Sequence, residues 1–76
     1  MSGFSNWTYS DVVRFLRARG FELKRTHGSH HFYAGVVLGE NRIVTVAFHG
    51  ARTIDIRDMN SIVRQSRIPK EEWLKA

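Results

Sequence analysis

From Thr8 to Arg19 the apolar positions Tyr9, Val12, Val13 and Leu16 recur at i, i+3, i+4 and i+7, with Arg14, Arg17 and Arg19 spread over the other positions. That spacing draws one apolar stripe along a helix. Thr8, with Asp11 three residues on, forms a short-armed capping box at its start, and Gly20 supplies the left-handed residue that ends it. The period then changes. "FELKRT" alternates, Phe21 and Leu23 to one face and Glu22 and Lys24 to the other, which predicts a half-buried strand. Gly28-Ser29 turns the chain back into "HHFYAGVV", rich in aromatic and β-branched residues. "LGEN" is a second turn, and "RIVTVAFH" alternates again with Val44, Val46 and Phe48 on one face. Connections this short join strands only in antiparallel fashion, so the three strands form a meander.

Past His49-Gly50 the helical period returns. Asp58 caps a second helix in which Met59, Ile62, Val63 and Ser66 line one side, and Pro69 ends it. "PKEEWLKA" reads as a final short helical turn with Pro69 at its first position, Glu71 and Glu72 at its positive end, and Trp73 and Leu74 packing back. The expected architecture is α+β, ordered helix, three strands, helix, with the helices on one face of a three-stranded antiparallel sheet. Residues 1–76 are expected to form one domain with one core.

Composition narrows the class. With 42% hydrophobic residues, one proline and no low-complexity tract, the chain is globular. The absence of cysteine excludes disulfides and thiolate metal sites. No run of 18 apolar residues exists, and "MSGFSNWTYS" lacks the regions of a signal peptide. The reading is a soluble cytoplasmic protein with no membrane association. Twelve Lys+Arg against seven Asp+Glu give a net charge of +5, and nine of the twelve are arginine. The planar arginine fork matches phosphate oxygens two at a time, so the excess points towards a phosphate-rich partner.

The chemistry concentrates in "RTHGSHHFY", which holds three of the four histidines. Three imidazoles in five residues suggest a metal site, but neighbours in a strand point to opposite faces, so His30 and His31 cannot both turn to one ion. His27 falls at the turn. His30 has a more specific setting: Gly28 lets the backbone approach a ligand, Ser29 offers a hydroxyl and a backbone donor, and Arg25 stands nearby, together a seat for an anion. Phe32 or Tyr33 can stack on a base, and alternation assigns Phe32 to the core. An imidazole beside a phosphate is a ready proton-transfer group. RNA supplies its own nucleophile, because a 2′-hydroxyl stripped of its proton can attack the adjacent phosphorus without a metal. His30, His49 and the arginines offer the acid, base and cations such a reaction needs.

Taken in order, "FLRARGFELKRTHGSHHFY", "RIVTVAFHG" and "MNSIVRQSRIPKEEWL" resemble the HicA toxin family, the mRNA interferase half of HicA–HicB toxin–antitoxin pairs. The resemblance runs over about positions 10 to 74, and its most specific part is the helix, Gly-Phe, and then Gly-Ser-His opening the second strand. It implies a fold like that of double-stranded-RNA-binding domains and cleavage of mRNA independently of the ribosome, with no cofactor. The family's essential histidine maps onto His30, with Gly28 and Ser29 shaping its loop, and the histidine after the third strand maps onto His49 as a secondary site. The implied partner is an acidic HicB-like antitoxin that covers the His30 face. The second helix often ends in glycine in the family, where this chain has Arg67. The competing function is RNA binding without chemistry, as in double-stranded-RNA-binding domains, whose contact surfaces are usually rich in lysine; this chain has three lysines.

Overall fold

The computed structural model describes residues 6–76; the first half of the decapeptide read for a signal peptide lies outside the described residues. The order is α1 (Tyr9–Ala18), β1 (Glu22–His27), β2 (His30–Val37), β3 (Glu40–Ala47), α2 (Ile56–Ser66) and α3 (Lys70–Lys75). The sheet is an antiparallel meander ordered β1-β2-β3. This is the expected α+β arrangement.

The expected capping box starts α1. The Thr8 N–H donates to Asp11 Oδ2 at 2.9 Å, and the Asp11 N–H donates to Thr8 Oγ1 at 3.3 Å. Donation from the Thr8 backbone is the main reason the Asp11 carboxyl sits below the usual carboxylate range. Gly20, at φ 89°, ends the helix, and the Phe21 N–H returns to the Leu16 carbonyl at 3.0 Å. The second turn is tighter than "LGEN" suggests. Leu38 and Gly39, at φ 53° and 78°, form a two-residue turn of the mirror-image kind, so β3 begins and ends two residues early.

One sheet face carries the core. Val12 and Leu16 of α1, Val44 and Val46 of β3, Met59 of α2 and Trp73 of α3 are all fully buried, with Tyr33 of β2 among them. The other face is open, and Val36 and Ile43 are about 60% exposed on it. Several expectations about faces need correction. Leu23 is half-exposed and all of β1 is exposed, because β1 is the sheet edge and its register slips between Leu23 and Arg25. Tyr33, not Phe32, enters the core, since its hydroxyl finds a partner there. Phe48 lies beyond β3 and is half-exposed. Asp55 rather than Asp58 stands at the α2 N-cap, and Asp58 falls within the first turn. Pro69 is the N-cap of α3 rather than its first residue, and Leu74 is half-exposed while Trp73 alone packs back. At the end of α2, Arg67 takes the left-handed conformation, φ 63°, which glycine would adopt without strain.

Phe21, just before β1, closes over the sheet at Gly35. A Cβ at Gly35 would lie 2.7 Å from the Phe21 ring. Gly35→Ala is therefore expected to destabilise the fold by about 1–3 kcal/mol. Thermal unfolding checks this, since each kcal/mol moves the midpoint by roughly 4–8 °C in a domain of this size; an unchanged midpoint would mean the ring slides aside freely.

The outer edge of β3 is engaged by α2. The Thr45 N–H donates to Gln65 Oε1 at 2.9 Å, and Gln65 Nε2 donates to Ser61 Oγ at 2.9 Å. Among the described residues, no helix is long and apolar enough to cross a membrane.

Candidate functional site

Gly28 and Ser29 form the two-residue turn between β1 and β2. Gly28 holds φ 61° with nothing within 4 Å of where a Cβ would stand, so glycine is needed there for its backbone and not for space. The turn delivers His30 to the first position of β2, paired with His27 on one side and with Ala47 on the other. Partners in register share a face, so His27, His30 and Ala47 look out from the open side of the sheet. His31 points the other way, as alternation requires.

His31 is held firmly. The Tyr9 hydroxyl lies 2.7 Å from His31 Nδ1 and 2.7 Å from the Tyr33 hydroxyl. With neutral His31 accepting at Nδ1, Tyr9 donates to it and receives from Tyr33. Burial, and then the hydrogen bond with Tyr33, push the Tyr9 phenol well above its ordinary range, so it stays a protonated donor. The His31 ring also stacks on Phe48, with centroids 5.6 Å apart and 10° between planes, and Tyr9 meets both rings edge-on. The Phe48 N–H donates to the Ser29 carbonyl at 2.7 Å. The chain neighbours of His30 and His49 are thus clamped to each other and to α1.

His30 and His49 line one open cleft of about 840 Å³, between the end of β3 and α2. Arg52 enters from the loop, and Asp55, Asp58, Ser61 and Gln65 form the helical wall. The loop is pinned near α1, where the Ile54 N–H donates to the Trp7 carbonyl at 2.7 Å. Two exposed imidazoles and a hydroxyl on one concave surface can exchange protons with a bound phosphodiester, which Arg52 attracts and the Asp55 and Asp58 carboxylates oppose.

Arg25 lies outside this cleft. It pairs with Phe32 across β1 and β2, and its guanidinium sits over the Phe32 ring, 4.9 Å from the centroid. Arg25, Thr26, His27 and Phe32 border a shallow hollow of about 260 Å³. The structure thus brings His30 and His49 to one cleft, sets Gly28 and Ser29 in the turn behind His30, and leaves Arg25 on the sheet face beside it. Arg52 and the α2 wall escaped the sequence reading. Asp58, Ser61 and Gln65 do recur at i, i+3 and i+7, but such a polar stripe looks like any solvated helix face.

A family model described as "HicA toxin of bacterial toxin-antitoxin" matches residues 9–68. No curated protein and no solved structure matches.

Proposed function

Because the chain belongs to the HicA toxin family of bacterial toxin–antitoxin systems, its partner is an antitoxin, and we propose that it acts as a metal-independent endoribonuclease on mRNA with His30 as general acid or base. The observation that supports this reading is the shared cleft of His30 and His49. One imidazole takes the proton of a ribose 2′-hydroxyl as that oxygen attacks the adjacent phosphorus, and the other gives a proton to the departing 5′-oxygen. The products are a 2′,3′-cyclic phosphate and a free 5′-hydroxyl. Arg52 offsets the charge that grows on the phosphorane, the Gly28-Ser29 turn positions the phosphate behind His30, and Arg25, on the sheet face beside the cleft, holds a neighbouring phosphate of the strand. An mRNA substrate implies a cytoplasmic site of action.

The antitoxin is proposed to be an acidic, HicB-like protein that covers the cleft and so excludes RNA. Its grip should weaken with salt where charge dominates.

The test is to incubate the purified protein with unstructured RNA in EDTA and to analyse the new ends. The expected result is cleavage that persists in chelator and leaves cyclic phosphates, abolished by a 2′-deoxy residue at the cut. Activity lost to EDTA and restored by one ion would overturn the metal-independent mechanism, and tight binding without cleavage would favour a purely RNA-binding role.

A further inference from the structure

We propose that Phe32 and the Arg25 guanidinium lying over its ring, 4.9 Å from the centroid, form a stacking site for one unpaired base of the RNA, next to the phosphate held at His30; this rests on the ribonuclease reading. The placement of two adjacent aromatics carries the argument. Tyr33 fills the core position, 2% exposed, with its hydroxyl bonded to Tyr9. Phe32 therefore stands on the opposite face, in the central strand, where the core lies on the far side of the sheet. A large ring there adds little to the core that holds the helices.

Its neighbours suit a nucleotide. Phe32 follows His30 by two positions on the same face, about 6.7 Å along the strand at ordinary strand rise. Arg25 can present its flat face to a base and its edge N–H groups to a phosphate, a combination lysine cannot offer. His27, paired with His30, borders the same hollow. Every base has a π-face, so such a platform tolerates sequence but requires the base to be unstacked. The occupant is thus single-stranded RNA, and a duplex, whose base faces are already covered, is disfavoured.

Binding is best read with a short 2′-fluoro RNA, which lacks the nucleophile for cleavage. Phe32→Leu keeps apolar bulk without a ring, and it should bind about five- to hundredfold more weakly than the parent, the range for one lost base stack. Phe32→Trp should keep the affinity and show tryptophan quenching on RNA addition beyond the change that Trp7 and Trp73 give in the parent. A duplex of the same length should bind more weakly than the single strand. Phe32→Leu binding as tightly as the parent, or Phe32→Trp emission that saturating RNA leaves untouched, overturns the base site while parental cleavage stands. A parent that binds this RNA through Phe32 but leaves the unmodified RNA of the same sequence uncut in EDTA overturns the cleavage reading and leaves the base site in place.

Discussion

Purified His30→Ala is expected to cleave RNA roughly 10²–10⁴-fold more slowly than the parent, the usual contribution of a positioned acid or base. The loss should fall on kcat, because removing a proton-transfer group leaves Arg25, Arg52 and the Gly28-Ser29 turn to bind substrate. Stability should change little, since His30 is exposed. His49→Ala is the companion variant. If the two histidines divide the acid and base roles, the bell-shaped pH dependence of kcat/KM should lose one limb in each. A folded His30→Ala protein that cuts at the parental rate would remove His30 from the mechanism, whatever else lines the cleft. The same variant should no longer arrest growth when expressed without antitoxin.

The largest stability effect is expected from Trp73→Ala, at about 3–5 kcal/mol. Trp73 is fully buried, stacks on Phe15 at 3.9 Å with 21° between planes, and meets Trp7 at 5.7 Å. A chain of 76 residues has a total stability of roughly 4–11 kcal/mol at ordinary values per residue. Losing this one side chain would remove a large fraction of that stability, and at the low end of the range would unfold the chain. Trp73 Nε1 is also buried with no hydrogen-bond partner among the described residues. Trp73→Phe removes that unpaired donor while keeping an aromatic stack, so it should cost much less than alanine. Urea unfolding of both variants decides the point; equal midpoints for alanine and phenylalanine would show that the stack contributes nothing. Trp73 lies beyond the family-matched residues 9–68, so α3 matters to this chain's core outside the segment that the match covers.

Element order was legible because periodicity, caps and turns agree along this chain: the Thr8–Asp11 box, Gly20 and Gly28-Ser29 each stand where a hydrophobic period changes. Faces were less legible where two adjacent residues compete for one position. Phe32 and Tyr33 are both aromatic, and alternation alone does not say which is inside. The decision is made by Tyr9, 24 positions away, which offers Tyr33 a hydrogen bond in the core. Leu23 fails for a similar reason, since an edge position and a register slip are properties of the assembled sheet. For the candidate site, the Gly-Ser-His turn stood out as a local motif. His49 joined it as the fourth histidine, a second proton-transfer group, and then as a family correspondence, while Arg52 and the α2 wall come from contacts between distant segments that no spacing in the sequence reports.

The pairing of His30 with Ala47, and the α2 wall that completes the cleft, also set when the molecule can become harmful. A chain still being translated displays the Gly-Ser-His turn well before the third strand, His49 and α2 have left the ribosome. Whatever the cleft does, it cannot do during synthesis, nor can a product cut short before α2 do it. The residues that line the cleft run from His30 to Gln65, so the surface an antitoxin would have to recognise exists only once the chain has been made through α2.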